Sequence, residues 1–444
     1  MISAKENRRL TDVMRGSPAG FVLRSYWQPA ALTEELTPDR PIVPVMLLGE
    51  KLVLFRTEDG GYGLLGRHCP HRGADLCFAR RENGGLRCTF HGWLFDAEGR
   101  CLEQPAEPAD SRFHEKLQHK AYPCQARNGI VFAYLGDGDP PPLPEHDCFE
   151  APDSHTFAFK GLWECNWLQA LEVGIDPAHA SFLHRFFEDE NPDDSYGKQF
   201  RSGAAGTEVP LTKILREYDR PEIRAEDTDY GFRLVTTREI DSDTVHYRIT
   251  NLVFPNAIAI PMSDEMTITQ WHVPIDNQHC YWYSIFTSFG GTVDRELMRA
   301  QRLQEHTLPE YRPRKNKSNN YGFDLDEQRR KTYTGMGADI NVHDQWAVES
   351  LGPIQDRTQE HLGQSDVGIK RYRRLLKQAI EAESTAELLF RPATGRRLNM
   401  RGPVAIDALG SASDGECWKR QDLTRRQHND WAKNPWRTEP PGAD

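Results

Sequence analysis

At 444 residues the chain is long enough for two or three domains, each with its own hydrophobic core. Asp and Glu (66) outnumber Lys and Arg (55), and the resulting formal net charge of −11 disfavours nucleic-acid binding. The longest apolar runs, such as IVPVMLL at 42–48, are too short to cross a bilayer. Nine cysteines without a repeating framework indicate a reducing, cytoplasmic location.

Residues 1–39 begin with MISAKENRRLTDVMRG, which predicts an amphipathic helix and lacks the apolar core of a signal peptide. We expect this N-terminal helical segment to pack on a later domain. Residues 40–147 alternate short apolar runs with glycine turns, as in KLVLFRTEDGGYGLLGR and NGIVFAYLG, and predict a small antiparallel β domain. That domain ends in the proline-rich linker DGDPPPLPEHD.

Residues 148–385 form a second predicted domain. It begins with helical sequence around 163–187 and ends in a helix over DVGIKRYRRLLKQAIEAE. Between them, alternating apolar residues predict strands in YGFRLVTTREI, TVHYRITNLVF, MTITQWHVPI and HCYWYSIFTSF. Residues 386–444 are polar and irregular, which favours an arm that packs on a neighbouring molecule. The fold class is therefore α+β.

Two short stretches, CPHRGADL and CTFHGWLFD, each supply one cysteine and one histidine. The spacing is Cys69-x-His71 in the first and Cys88-x-x-His91 in the second. Four such ligands could hold zinc, or a [2Fe–2S] cluster in which two histidines replace two cysteines on one iron. Zinc sites usually pair like ligands along the sequence, whereas a mixed pair from each loop suits a dinuclear cluster. The order of the ligands therefore favours the cluster, with zinc as the alternative.

The two boxes resemble those of Rieske proteins, and the form CPHRG…CTFHGW resembles Rieske non-haem iron oxygenases. The resemblance extends over roughly residues 20–385, and the stretches LRSYWQP and GPIQDRTQEHLGQSD are similar to the phthalate dioxygenase branch. It implies a [2Fe–2S] cluster held by Cys69, His71, Cys88 and His91. It also implies a second domain that carries one mononuclear non-haem Fe(II).

The implied iron site falls in NWLQALEVGIDPAHASFLHR, where Asp176, His179 and His184 match the family pattern D-x-x-H-x-x-x-x-H. The two histidines are the implied iron ligands, since two histidines and a carboxylate leave open positions on Fe(II). In a regular helix they would point about 140° apart, so the helix must bend or the iron must lie to one side. Asp176 followed by Pro177 also suits a helix N-cap.

The third iron ligand is sought in INVHDQWAVESLGPIQDRTQEHLGQSD, which is rich in carboxylates. In the family the ligand aspartate opens a helix and a glutamate follows five residues later. Asp344 and Glu349 have this spacing, so Asp344 is the candidate ligand and Asp356 is the alternative. Asp366 is expected to cap the last helix.

The resemblance further implies that the second domain is a helix-grip (START-like) fold, with an antiparallel sheet wrapped on a long C-terminal helix. It implies a homotrimer or a dimer of trimers, in which electrons cross from the cluster to the iron of the neighbouring subunit through Asp176. The carboxylate of Asp176 is expected to accept a hydrogen bond from His179 and, across the subunit boundary, from His71 or His91. The sequence lacks a G-x-G-x-x-G nucleotide motif, so we expect a separate NADH-dependent reductase of the flavin and ferredoxin type.

The function implied is that of an oxygenase component that cis-dihydroxylates a phthalate-like aromatic carboxylic acid. Such an acid requires cationic groups in an otherwise apolar pocket, and Arg233, Arg238 and Arg248 lie on the predicted strands of the pocket sheet. Arg248 is favoured because the sequence around it, HYRITNLVF, is otherwise apolar. O-demethylation of a methoxylated aromatic acid is the alternative, since the same iron site serves both reactions.

Two other classes of protein are considered. A Rieske electron carrier of quinol-oxidising complexes carries an extra cysteine in each box, but Phe90 occupies that place in the second box. High-potential Rieske boxes also carry a serine and a tyrosine where this sequence has Trp93 and Phe95. A zinc-stabilised interaction module would be colourless. Partners are therefore expected to be a small aromatic acid, O2 and a reductase, without nucleic acid or membrane.

Overall fold

The computed structural model describes residues 1–188, 211–382 and 402–433. Within these ranges it is an α+β protein, as the sequence predicts, with several antiparallel β-sheets and ten α-helices. The helices are α1 Ala4–Thr11, α2 Pro18–Arg24, α3 Asp147–Glu150, α4 Trp167–Gly174, α5 Leu211–Glu217, α6 Arg295–Glu305, α7 Leu325–Arg330, α8 Ile340–Ser350, α9 Val367–Ile380 and α10 Cys417–Arg426. In this described part, no helix has both the length and the apolar character needed to span a membrane.

The strands divide into two groups along the chain. Those before residue 140 are β1 Gln28–Leu32, β2 Ile42–Leu47, β3 Glu50–Arg56, β4 Tyr62–Gly66, β5 Arg80–Glu82, β6 Gly85–Arg87, β7 Leu94–Phe95, β8 Cys101–Glu103, β9 Ala121–Tyr122, β10 Cys124–Arg127 and β11 Ile130–Ala133. Those after it are β12 Thr156–Trp163, β13 Glu222–Thr228, β14 Gly231–Glu239, β15 Thr244–Val253, β16 Ala257–Pro261, β17 Met266–Pro274, β18 Cys280–Ser288, β19 His306–Thr307, β20 Arg312–Pro313 and β21 Ile406–Ser411.

The first domain contains two four-stranded antiparallel sheets, in the orders β2-β3-β4-β9 and β5-β6-β7-β8. Alternate side chains of β3 and β4 and those of the second sheet enclose a small core, which includes Phe55, Leu65, Leu86 and Phe95. The cysteines of both boxes belong to this core. The core therefore holds the two cysteine–histidine loops against one another.

The N-terminal segment contacts both parts of the chain. Strand β1 pairs with β11 in a three-stranded sheet, β1-β11-β10. Helix α1 lies against the second domain, where Asn7 Nδ2 donates to the Gln355 carbonyl at 2.8 Å and Glu6 forms an ion pair with Lys377. The segment thus links the first domain to the second through both a strand and a helix.

The second domain is built on an antiparallel sheet in the order β12-β18-β17-β16-β15-β14-β13. Helix α4 contacts β16, β17 and β18, and helix α9 contacts β13. Helix α9 approaches the end of α4 closely because residue 368 is glycine: a Cβ there would lie 2.3 Å from the Ile175 carbonyl oxygen. The hydroxyl of Tyr372 then donates to the Pro255 carbonyl at 2.8 Å. Helices and sheet together form the scaffold of the site.

The region expected to be helical around 163–187 is more broken than predicted. Residues 156–163 form strand β12, whose eight residues all pair with β18. Helix α4 begins at its N-cap Asn166 and ends at Gly174, and Pro177 follows shortly after. The two histidines of the D-x-x-H-x-x-x-x-H pattern therefore lie beyond the helix, in a 3₁₀ turn and the turn after it.

The expectation of an irregular C-terminal arm is wrong for residues 402–433. Strand β21 pairs with β15 over 244–249, and α10 follows it. The guanidinium of Arg426, fully buried, pairs with Asp422 and with Asp147 at the end of the linker. Buried charges of this kind require each other, since removal of one partner leaves the other without compensation. This segment therefore belongs to the scaffold of its own chain.

Candidate metal centres

The two cysteine–histidine loops have matching backbone hydrogen bonds. In each loop the amide of the glycine four residues after the cysteine donates to the cysteine carbonyl, at 2.8 Å for Gly73 and Cys69 and at 2.9 Å for Gly92 and Cys88. Both glycines are left-handed, with φ of +78° and +76°, a conformation that favours glycine. The sequence thus builds two equivalent tight turns.

His71 and His91 lie side by side on these turns, with ring centroids 4.4 Å apart. Trp93 stacks on His71 at 4.4 Å, with 10° between the ring planes. Cys69 and Cys88 are buried, with 2% and 4% exposure, whereas both imidazoles are partly exposed. Buried cysteine sulfurs and partly exposed imidazoles fit a [2Fe–2S] cluster in which the two histidines ligate one iron.

Two further observations fit this donor set. His91 Nδ1 is buried and has no hydrogen-bond partner among the described residues, so its lone pair is available to a metal. Burial raises the pKa of the Cys69 thiol to about 11, and the neighbouring Cys88 adds to the shift, so a cation is needed to hold the pair as thiolates. All nine cysteines lie in the described part and none forms a disulfide.

His179, His184 and Asp344 converge at a second place. His179 Nε2 is 3.2 Å from His184 Nε2, and Asp344 Oδ1 is 3.3 Å from His184 Nε2 and 3.7 Å from His179 Nε2. One ligand atom from each residue lies within 4.8 Å of the others. Asp344 lies inside α8 and does not open it, because Asp339 is the N-cap.

The electrostatics of these three groups fit a bound cation. Asp344 Oδ1 is buried and accepts no hydrogen bond from any residue that the structure describes. Burial alone would raise the pKa of Asp344, but the imidazoles of His184 and His179 outweigh it and hold that pKa below its ordinary value. Burial and the nearby His184 lower the pKa of His179. Two imidazoles and one carboxylate whose ligand atoms face one point suit a divalent metal.

Asp176 contacts His179 differently from the expectation. Its backbone carbonyl accepts the hydrogen bond from His179 Nδ1, while its carboxylate accepts the amide of Ala178 at 3.1 Å. Within one chain the carboxylate therefore acts as a local cap, and the carbonyl orients the imidazole. Burial raises the pKa of Asp176.

A cavity of about 130 Å³ lies between the three converging residues and the sheet. Alternate residues of three strands line it, because successive side chains of a strand point to opposite faces. They are Arg248 and Thr250 of β15, Ile258 and Ile260 of β16, and Ile268, Gln270 and His272 of β17. The isoleucines of β16 and β17 thus give the cavity an apolar surface, and β15 and β17 add polar groups.

Of the three arginines predicted to contact substrate, all within the described part, one lines the cavity. This residue, Arg248, is already paired with Asp407 of β21. Arg238 is buried further along the sheet, and burial together with the nearby Arg248 lowers its pKa to about 10. Arg233 lies on the opposite face of the sheet, with its guanidinium 5.0 Å from the Trp418 ring centroid.

The other carboxylates of 344–366 do not reach this site. Asp356 is exposed, and its carboxylate accepts the hydroxyl of Thr358 at 2.7 Å. Asp366 stands at the N-cap position of α9 but makes no side-chain capping bond. Glu349 is buried and bonds to Tyr321 at 2.8 Å.

Two polar cavity residues on β17 were not anticipated from the sequence. His272 Nε2 lies 3.3 Å from Gln270 Nε2, and Gln270 Oε1 accepts the hydroxyl of Ser284 at 3.0 Å. Burial lowers the pKa of His272 to about 3, so this imidazole is neutral. The alternation in TITQWHVP places Ile268, Gln270 and His272 on one face of the strand. This pattern could have indicated from the sequence that Gln270 and His272 line the same surface.

Arg302, also unanticipated, enters the cavity from helix α6. It is 3% exposed, and its guanidinium lies 5.9 Å from the Trp282 ring centroid and 5.7 Å from that of Phe286. Because α6 is remote in sequence from the metal-binding pattern, no local motif indicates this position.

A groove of about 1000 Å³ lies on the other side of Asp176 and His179, which line both the groove and the cavity. Exposed apolar side chains form much of its wall, among them Phe182, Phe323 and Trp346. Its described lining residues all belong to the second domain, between 169 and 373. Asp176 and His179 therefore form part of a wall between the groove and the cavity.

Comparison with known proteins agrees with both domains. The sequence matches the model of the Rieske [2Fe-2S] domain at residues 26–123 and the model named LigXa C-terminal domain like at residues 133–396. The phthalate 4,5-dioxygenase oxygenase subunit of Pseudomonas putida is 33% identical over 401 residues, covering 87% of this chain and 88% of that protein. The 5,5'-dehydrodivanillate O-demethylase oxygenase subunit of Sphingobium sp. is 33% identical over 395 residues, covering 87% and 82%.

Among solved structures, the carbazole-bound oxygenase of carbazole 1,9a-dioxygenase in complex with ferredoxin has a TM-score of 0.56 at 19% identity. It covers 87% of this chain and 98% of the other, and it shows the shared fold. A cluster domain followed by a sheet-and-helix catalytic domain defines a two-centre iron protein. The chain belongs to the Rieske non-haem iron oxygenases, as an oxygenase subunit. It is an oxidoreductase whose first domain is a Rieske [2Fe–2S] domain, and the family's catalytic domain uses a mononuclear non-haem iron.

The side chains after His91 predict a low reduction potential for the cluster. Trp93 stacks on His71 and Phe95 is buried, so neither position offers a hydroxyl to a cluster sulfur. Hydrogen bonds to the cluster sulfurs raise the reduction potential. Because the side chains at 93 and 95 donate no such bonds, we expect a potential near the low end of the Rieske range, about −150 mV. Protein-film voltammetry measures it. A value above zero would contradict this reasoning.

Proposed function

We propose that this chain is the oxygenase component of a multicomponent dioxygenase that cis-dihydroxylates a phthalate-like aromatic carboxylic acid. It would use O2 and electrons from a separate NAD(P)H-dependent reductase. The observation that carries the proposal is the convergence of two histidines and one aspartate on a cavity with apolar walls and buried arginine. The match to a phthalate 4,5-dioxygenase oxygenase subunit supports it.

We assign Cys69, His71, Cys88 and His91 as the ligands of the cluster. His179, His184 and Asp344 would hold the mononuclear iron. When bound, the cluster supplies electrons singly and the Fe(II) activates dioxygen at open coordination positions.

The residues of the chain prepare the catalytic site in two ways. The Asp176 carbonyl accepts a hydrogen bond from Nδ1–H of His179, which leaves the lone pair of Nε2 facing the site. The side chains of Ile258, Ile260 and Ile268 on this strand face give the aromatic ring of the substrate an apolar surface that excludes water.

The dimensions and charge of the cavity favour a monocyclic aromatic acid. Its volume of about 130 Å³ is close to the about 150 Å³ of an apolar cavity that binds benzene. Arg302 reaches the cavity from helix α6, so we assign recognition of the substrate carboxylate to its guanidinium. Neutral His272 and Gln270 would orient a second polar substituent.

Oxidative O-demethylation of a methoxylated aromatic acid is the second candidate. It is supported by the 5,5'-dehydrodivanillate O-demethylase oxygenase subunit, whose identity to this chain equals that of the phthalate enzyme. Both reactions need the same iron ligands and an acid-binding pocket. The nature of the product separates them.

We further propose that the chain assembles as a ring of three, or two such rings, in which the cluster of one subunit meets the groove of the next. Phe90 beside His91 is 54% exposed and Phe78 is 75% exposed, while exposed aromatic residues line the groove. Two different apolar patches on one chain favour head-to-tail contacts, which close into rings. Asp176, in the wall between groove and cavity, would then provide a hydrogen-bonded route for the electron across the subunit boundary.

The function is tested by substrate-dependent oxygen uptake with a surrogate reductase across a panel of aromatic acids. We expect uptake with a benzene carboxylate or dicarboxylate and a cis-dihydrodiol as product, identified by mass spectrometry. Formaldehyde from a methoxylated acid, without a dihydrodiol from any acid, would replace the first proposal by the second. Uptake absent with every acid would contradict both.

Replacing Arg302 by methionine tests, in the same assay, whether Arg302 binds the carboxylate of the substrate. KM for the acid should rise about 10- to 100-fold, since a hydrogen bond to a charged group contributes about 1.5–3 kcal/mol. The amide of the same acid should be unaffected. Arg299→Met is the matched control, because Arg299 lies on the same helix but pairs with Glu34 at 2.9 Å at the surface. Equal KM changes in both variants would exclude Arg302 as the acid-binding group.

Asp344→Asn should remove the mononuclear iron and leave the cluster intact. An amide cannot supply the anionic oxygen that the site requires, whereas the thiolate ligands are untouched. Iron in excess of acid-labile sulfide measures the mononuclear site, because the cluster contains equal amounts of both. Asp356→Asn is the control, since Asp356 is exposed and bonds to Thr358. Excess iron retained in the first variant and lost in the second would move the assignment to Asp356.

Electron transfer between subunits predicts that two inactive variants complement each other. Cys88→Ser should lack the cluster and Asp344→Asn should lack the iron, so each is inactive alone. Co-expression with two affinity tags gives mixed assemblies in which an intact cluster faces an intact iron site of the next subunit. We expect such assemblies to regain oxygenation. Inactive mixed assemblies of correct size would place electron transfer within one chain.

A further inference from the structure

His343, the residue before Asp344 in α8, lies behind His184 on the side away from the cavity. It is 0% exposed, and it is not among the residues that line the cavity or the groove. Its ring stacks on that of His184, with centroids 5.7 Å apart and 25° between the planes. Because His343 faces neither the cavity nor solvent, its two ring nitrogens must find hydrogen-bond partners within the protein.

The two nitrogens of His343 bond to groups of different kinds. Nε2 lies 2.8 Å from the carbonyl oxygen of Gly337, and Nδ1 lies 3.5 Å from Nδ1 of His184, at the long end for a hydrogen bond. A carbonyl oxygen can only accept, so Nε2 of His343 carries the proton and donates it. Nδ1 of His343 then carries a lone pair, which accepts a hydrogen bond from Nδ1–H of His184.

This assignment fixes the tautomer of His184. If Nδ1 of His184 donates to His343, its Nε2 keeps a lone pair. That Nε2 is the atom 3.2 Å from His179 Nε2 and 3.3 Å from Asp344 Oδ1. The lone pair therefore points to the place where the three ligand atoms converge.

The carbonyl at the far end of this chain of bonds is itself held in place. Gly337 has φ of +88°, a conformation that favours glycine, and its amide donates to Glu327 at 2.7 Å. The same Glu327 oxygen accepts the hydroxyl of Thr332 at 2.8 Å. The loop before α8 thus presents a fixed acceptor to His343.

The two histidines of the triad are oriented by different means. A backbone carbonyl, that of Asp176, accepts the Nδ1 proton of His179, and no side-chain substitution removes it. The corresponding acceptor for His184 is a side chain. Metal-bound histidines commonly donate their second nitrogen to an acceptor that fixes the ring and strengthens the ligand.

We propose that His343 is a positioning residue for the mononuclear iron, which holds His184 in the tautomer and orientation that ligate the metal. This inference rests on the proposed assignment of His179, His184 and Asp344 as ligands. It adds an outer hydrogen-bond chain, Gly337 carbonyl to His343 to His184, that no ligand pattern in the sequence indicates.

Iron binding by four variants tests the proposal. His343→Phe keeps a ring but removes both nitrogens, His343→Gln can reach Gly337 but leaves no acceptor at the Nδ1 position, and His343→Asn keeps an acceptor near that position. The measurement is equilibrium dialysis of the full-length protein against Fe(II), with iron in excess of acid-labile sulfide as the readout. The control is His119→Phe in the first domain, a buried histidine whose Nε2 also lies 2.8 Å from a glycine carbonyl, that of Gly66.

We expect His343→Phe and His343→Gln to bind Fe(II) about 10- to 100-fold more weakly than the wild type. His343→Asn and His119→Phe should bind within a few-fold of it, and the visible spectrum of the cluster should persist in the three variants at 343. Wild-type affinity in the Phe and Gln variants, or equal losses in Phe, Gln and Asn, would overturn the proposal in favour of simple packing. If the Phe variant fails to fold, the contrast between Gln and Asn decides.

His184→Ala separates this proposal from the one on which it rests. Loss of excess iron in His184→Ala, with wild-type binding in the variants at 343, would refute the positioning role and leave the ligand assignment standing. Full excess iron in His184→Ala would refute the ligand assignment itself.

Discussion

The site depends on the way a buried carboxylate fixes helix α8. Glu349 is 2% exposed, and its two oxygens accept the amide of Glu164 and the hydroxyl of Tyr321, each at 2.8 Å. A buried carboxylate is stable only when such partners are present, because its desolvation is otherwise uncompensated. The helix can therefore dock in one register only. In that register Asp344, five residues earlier, faces His184.

Helix α4 ends before His179 and His184, and this allows both imidazoles to face the same point. Two residues five apart diverge in a regular helix, but the helix ends at Gly174 and both histidines lie in turns. The irregular backbone lets both Nε2 atoms face one point, 3.2 Å apart. Their Nδ1 atoms donate hydrogen bonds to the Asp176 carbonyl and to His343, and these bonds replace the rigidity that the helix would have given.

The architecture places the two sets of candidate metal ligands in different domains of the chain. The cysteine–histidine turns are on the first domain, with aromatic side chains around them, while the groove beside the triad is lined by the second domain in the part of the chain described. Only the wall that contains Asp176 and His179 lies between groove and cavity. In the proposed assembly, the substrate would lie on one side of that wall and the cluster of the neighbouring subunit on the other.

The sequence by itself determined those features that local spacing encodes. The ligand turns close through bonds between residues four apart, and the strands β14, β15, β17 and β18 follow from alternation that needs no distant partner. The neighbourhood of each cavity residue was decided by tertiary structure. Arg248 forms an ion pair with Asp407, which is 159 residues away in the sequence. Asp407 lies in strand β21, which the polar C-terminal sequence does not predict. The link between His184 and His343 likewise joins residues 159 apart. Such partners arise from how sheet and helices pack, since the energy of a buried charge or imidazole depends on what surrounds it and not on its neighbours in sequence.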